Sequence, residues 1–149
     1  MIAGFTGTRY ESEITAEHRK WARQALIDYG ITEVHHGGCT GGDGLGHRVA
    51  LELGIPVIVH PPIKQSWVDP IIYEPNELVT VLSPKSYFVR DVDVVTAADR
   101  MLAIAQYGMS SIPADFIKAN GGTAFTCGVT LKQKKWLDVC WPSGKVVKY

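Results

Sequence analysis

The stretch HHGGCTGGDGLGHRVALELGIPVIVHPP, residues 35–62, does most to limit what this chain can fold into. TEVHHGG (32–38) reads as a strand closed by glycines, GDGLGHRVALELG (42–54) as a helix and IPVIVHPP (55–62) as a second strand. Strands joined through a helix pair in parallel by a right-handed crossover. The same pattern precedes it. IAGFTG (2–7) is a short apolar run with the look of a buried strand. TAEHRKWARQALIDYG (15–30) places Trp21, Ala22, Ala25, Leu26 and Tyr29 at helical spacing, with Thr15 as N-cap, Gly30 as the stop and His18 on the solvent face. Strand, helix, strand, helix, strand predicts an α/β fold around a mostly parallel central sheet.

Further along, 63–77 is rich in Pro and polar residues with isolated aromatics, and LVTVLS (78–83) reads as a strand or an extended lead-in. KSYFVRDVDVVTAADR (85–100) fits a helix with Phe88, Val92, Val95 and Ala98 turned inward, and MLAIAQ (101–106) a buried strand. A loop interrupted by Pro113 fills 107–120, GGTAFTCGVTLKQKKW (121–136) opens on glycines and continues as a helix, and a last strand lies near 137–141 with a short hairpin behind it. No repeat, linker or low-complexity segment divides the 149 residues, so residues 1–149 are read as one domain.

Composition removes several function classes. Fifteen basic residues balance fifteen acidic ones, which leaves no broad field to drive binding to duplex nucleic acid. Lys132, Gln133, Lys134 and Lys135 read as a solvated helix face. Cys39, Cys127 and Cys140 are an odd number without CxxC spacing, which suits buried reduced thiols of a cytoplasmic protein. The start of the chain has no basic segment leading into a long apolar one, and no window approaches a membrane span, so a soluble, unprocessed protein is expected.

In an open parallel sheet, ligands bind outside the carboxyl ends of the strands, at the point where strand order reverses. Three segments fall on that edge. Gly7, Thr8 and Arg9 end the first strand; glycine admits a close backbone approach, threonine offers a hydroxyl and arginine a planar donor fork for phosphate or carboxylate. Gly37, Gly38, Thr40, Gly41 and Gly42 lead into a helix whose N-terminal N–H groups and dipole favour an anion. Gly121, Gly122 and Thr123 repeat the arrangement. Asp43, at the first of these helix starts, has three open readings: a helix cap, a partner for ribose hydroxyls, or a cation holder. The segment is neither a GxGxxG fingerprint after the first strand nor a GK[ST] phosphate loop. His35, His36, His47 and His60 do not converge on a metal by spacing, since neighbours on a strand face opposite ways, and no GxSxG elbow is present. No metal and no separate cofactor are expected.

GFTGTR, HHGGCTGGDGLGHRVALELGIPV, YFVRDVDVVTAADRMLAIA and GGTAFT, in this order, resemble the SLOG superfamily of Rossmann-like domains, from residue 2 to about 130. That superfamily includes DNA-processing proteins, YspA-like proteins and the LOG phosphoribohydrolases. The resemblance implies a Rossmann-like three-layer fold, with Arg90 in the place of the LOG arginine and Gly121, Gly122 and Thr123 in that of its second glycine motif. Where the LOG enzymes carry a glutamate, this chain has Thr126. The leading expectation is therefore binding of a nucleotide or nucleotide-derived phosphorylated ligand, for sensing or sequestration. The alternative is cleavage of an N-glycosidic bond in nucleoside monophosphates, with Arg90 stabilising charge and Asp43 or Asp91 as the substitute carboxylate. Single-stranded DNA binding, as in the DNA-processing relatives, is third, and neutral charge opposes it. The expected partners are a small nucleotide-like molecule and, in a homo-oligomer, further copies of this chain.

Overall fold

In the computed structural model, residues 1–106 and 122–149 are described. The loop expected at 107–120, and Gly121, lie outside them. Strands β1 (Ile2–Gly7), β2 (Glu33–His36), β3 (Val57–Val59), β4 (Val79–Val81), β5 (Arg100–Ile104), β6 (Trp136–Cys140) and β7 (Val146–Lys148) form one sheet in the order β4-β3-β2-β1-β5-β6-β7. All neighbours are parallel except β6 and β7. Helices α1 (Ala16–Asp28), α2 (Gly42–Glu52), α3 (Tyr87–Ala97) and α4 (Gly122–Lys132) connect them, with single 3₁₀ turns at Glu11–Glu13 and Pro70–Tyr73. None of the described helices is long and apolar enough to cross a membrane.

The chain first builds outward from β1 to β4, then returns to the other side of β1 with β5. That reversal makes a crevice between the carboxyl ends of β1 and β5, where Gly7 faces Ile104 in register. Alternation along β5 gives the sheet its two cores. Leu102 and Ile104 pack with Phe5, Leu26 and Val49 under α1 and α2, whereas Met101 and Ala103 pack with Val95, Cys127 and Leu137 under α3 and α4. Each such aliphatic side chain contributes about 1.5–3 kcal/mol by leaving water. The result is a three-layer Rossmann-like α/β fold.

Three local expectations are corrected. His18 is fully buried: its Nδ1 accepts the Thr15 N–H at 3.1 Å while the Thr15 hydroxyl accepts the His18 N–H at 3.2 Å. The imidazole thus replaces the usual glutamate of a capping box. On α3, Phe88 is 63% exposed, and the buried face carries Arg90, Asp91, Val94 and Val95. Charged residues hold that face because they neutralise one another. Lys135 is not part of a solvated helix face. It follows the end of α4, and its ammonium donates to the carbonyls of Val95, Thr96 and Ala98 at 2.6–2.7 Å, closing the carbonyl end of α3.

Candidate functional site

A cleft of about 690 Å³ opens at the crevice between β1 and β5. The turn from β2 into α2 forms one side. Its backbone runs unusually close to the end of β1: the Gly42 N–H donates to the Thr8 carbonyl at 2.8 Å, and a methyl on Gly42 would stand 2.6 Å from the Gly7 Cα. Gly41, at φ 83°, lies in the left-handed region that makes this approach feasible. The next loop is clipped onto the same turn, since Thr40 N–H donates to the Trp67 carbonyl at 2.8 Å and Asp69 N–H to the Gly38 carbonyl at 3.3 Å. Those bonds bring Trp67 over the cleft.

Arg90, from the first turns of α3, fills the floor and is 6% exposed. It donates through Nη1 to the Gly37 carbonyl, with no room for a side chain at Gly37, and through Nη2 to Cys39 Sγ at 3.5 Å. Asp91 Oδ1 lies 3.1 Å from its Nε and Asp43 Oδ2 lies 3.7 Å from Nη1. Asp43 also accepts the Cys39 N–H at 3.2 Å, so it braces the turn that precedes its helix. Burial pushes the Asp43 carboxyl up to about 6, against the pull of Arg90. Burial, and then Asp43, push Asp91 up to about 7, opposed by Arg90 and the Thr126 hydroxyl. The Cys39 thiol is driven up to about 11 by burial and by Asp43, so it is no ready nucleophile.

Of the residues expected at the site, Gly7, Arg9, Gly37, Asp43, Arg90, Asp91, Gly122 and Thr123 line the cleft. Thr8, Gly38, Thr40, Gly41 and Gly42 are not in its lining. Thr8 is 1% exposed and tied inward, its hydroxyl donating to Glu13 at 3.0 Å. At the start of α2 the Gly41 N–H meets the Glu11 carboxylate at 3.4 Å, and the Gly42 N–H is taken by Thr8. These two backbone donors are thus held by protein oxygens. Gly121 is outside the described residues.

Apart from Arg9, the mouth was not foreseen from the sequence. Exposed Arg9 sits over the Trp67 ring at 5.1 Å, Tyr10 meets the same ring edge-on at 5.4 Å, and Lys64, Tyr87 and Phe88 complete the rim. The isolated aromatics between 63 and 77 were the only available signal. The histidines pair two by two: His36 Nε2 with His47 Nδ1 at 3.0 Å, and His35 Nδ1 with His60 Nε2 at 2.8 Å. No cluster of three or more metal-binding side chains occurs among the described residues.

Fold and cleft together define a Rossmann-like α/β protein whose open crevice lies at the topological switch point. No family model matches the chain, and no curated protein matches it. Among solved structures, it is similar to the molybdenum cofactor carrier protein of Chlamydomonas reinhardtii, with a TM-score of 0.57 and 21% identity over 93% of this chain and 74% of that one. At that identity the likeness shows the shared fold.

Proposed function

We propose that the cleft binds a small nucleotide or nucleotide-derived ligand, planar at one end and phosphorylated at the other, and that the protein senses or sequesters it as a SLOG-type domain. The observation that carries this reading is the mouth, where Arg9 and Lys64 stand beside Trp67, Tyr10 and Tyr87. Aromatic faces take a heterocycle, and the two exposed cations take its phosphate. The floor suits the anion less well. Arg90 is already committed to Gly37, Asp43 and Asp91, and the first N–H groups of α2 are occupied. The phosphate therefore belongs beside Arg9 and Lys64, and the ring stacks on the aromatics with its edge turned towards the floor.

Calorimetric titration with AMP, GMP and ADP-ribose tests this. Binding is expected, with at least a tenfold loss in the double variant Arg9→Ala, Lys64→Ala. The absence of binding to every phosphorylated nucleoside would overturn it. The shared fold adds the molybdenum cofactor, carried by the similar protein, as a further probe.

A second reading has one observation in its favour. Asp91, a buried carboxyl that ionises near neutrality beside Arg90, has the properties of a general acid for N-glycosidic cleavage. Release of free base from AMP or GMP, lost in Asp91→Asn, is the expected result of that reading; intact nucleotide after prolonged incubation removes it.

A further inference from the structure

The floor of the cleft holds one arginine and two carboxyls, and their hydrogen bonds are unequal. Asp43 has backbone donors from Cys39 and Gly37 in addition to Arg90, which completes its pairing within the turn. Asp91 Oδ1 forms an ion pair with the Arg90 Nε at 3.1 Å that lacks hydrogen-bond geometry, the nearby Thr126 hydroxyl donates to the Gly122 carbonyl at 2.7 Å, and Oδ2 lies 3.9 Å from where a Gly122 side chain would begin. When both acids are ionised, the one cation between them leaves a carboxylate in excess, in the lining of the cleft. Such a buried carboxylate is costly unless it takes up a proton or a donor from outside completes it.

We infer that Asp91 selects the ring of the bound ligand, and that it selects an amino-lactam edge, the adjacent ring N–H and exocyclic amine that guanine presents. The inference rests on the reading of the cleft as a nucleotide-type site. Two parallel N–H donors match the two oxygens of a carboxylate, as guanidinium does. Adenine offers one donor beside one acceptor, so an ionised Asp91 would face the adenine acceptor with a lone pair. A protonated Asp91 reverses the preference, because its O–H donates to the adenine ring nitrogen while its carbonyl accepts from the amine.

Selectivity therefore follows the charge on Asp91. The charged or titratable groups facing it are Arg90 on its own helix, Asp43 from α2 and Cys39 from the turn. The Cys39 thiol stays protonated, and burial raises both carboxyls against the pull of Arg90.

The test compares GMP and AMP affinities by calorimetry at pH 6 and pH 8. The two nucleotides share the same phosphate, whose own titration cancels in the ratio. The preference for GMP over AMP is expected to rise about tenfold between the two pH values, and Asp91→Asn is expected to make the ratio independent of pH. The wild-type series needs no variant, so a misfolded Asp91→Asn protein leaves it decisive. A ratio that does not move with pH in the wild type, or that moves equally in Asp91→Asn, overturns the role of Asp91 while nucleotide binding stands. Failure of both nucleotides to bind removes the cleft reading itself.

Discussion

Arg90 shows how one side chain organises a site without facing solvent. It spans the Gly37 carbonyl, Cys39 and two carboxyls, so its removal strands both acids in a low-dielectric floor. Arg90→Met is expected to cost roughly 3–5 kcal/mol in urea unfolding, more above pH 7, where Asp43 and Asp91 would be ionised, than below pH 5. His60 gives a second prediction with the same pH sense and a different cause. Burial, and then His35, hold its pKa down to about 4, below the ordinary 6.5. Its stabilising contribution is complete above pH 6.5 and is lost as pH falls through about 4. His60→Gln keeps a partner for His35 and cannot protonate, so its stability relative to wild type should rise by up to about 3 kcal/mol between pH 7 and pH 4. Sequence made Arg90, Asp43 and Asp91 visible as candidates but hid their mutual neutralisation. That arrangement depends on α2 and α3 meeting across the sheet edge, a contact no local pattern encodes. His18 was misplaced for a related reason: a histidine at the third helical position gives no capping-box signature.

At the scale of elements, the glycine-rich starts of α2 and α4 look alike in sequence and differ in packing. A methyl on Gly42 would press on the backbone of Gly7, whereas one on Gly122 would meet nothing nearer than Asp91 Oδ2 at 3.9 Å. Gly42→Ala is expected to lose roughly 1–3 kcal/mol by forcing α2 away from β1. Gly122→Ala should stay within about 0.5 kcal/mol of wild type; chemical denaturation of the pair separates the two. The glycines before α2 thus serve close packing of two loops, and under the proposed reading the anion meets Arg9 and Lys64 instead. Strands and helices were legible because apolar period and glycine stops agreed, as in β1, α1 and α2. The face of α3 was legible only in part: Val95 and Ala98 are buried as expected, whereas Phe88 is exposed and the charged Arg90 and Asp91 are buried in its place.

For the molecule as a whole, alternating strands and helices made a parallel sheet with a switch point legible, but not its position between β1 and β5, which follows from the strand order and places the cleft. A ligand at a hundred times its dissociation constant adds about 2.7 kcal/mol, so a thermal-shift screen should find an increase of roughly 5–10 °C for a nucleotide-type ligand. With equal numbers of basic and acidic residues, no salt-sensitive retention on single-stranded DNA is expected; retention lost steeply with added salt would contradict this. The sealed cysteines offer a way to watch the fold open. Cys39 lies beneath the turn, Cys127 within α4 and Cys140 at the end of β6, all free and buried. A thiol reagent can reach Cys127 and Cys140 only when their own regions open and Cys39 by way of the cleft, so labelling rates resolved by peptide mass report two local stabilities and the access to the cleft in one tube. Of these, Cys39 alone lines the cleft, and its protection on adding a ligand, against steady rates at Cys127 and Cys140, would mark occupancy without a spectroscopic probe.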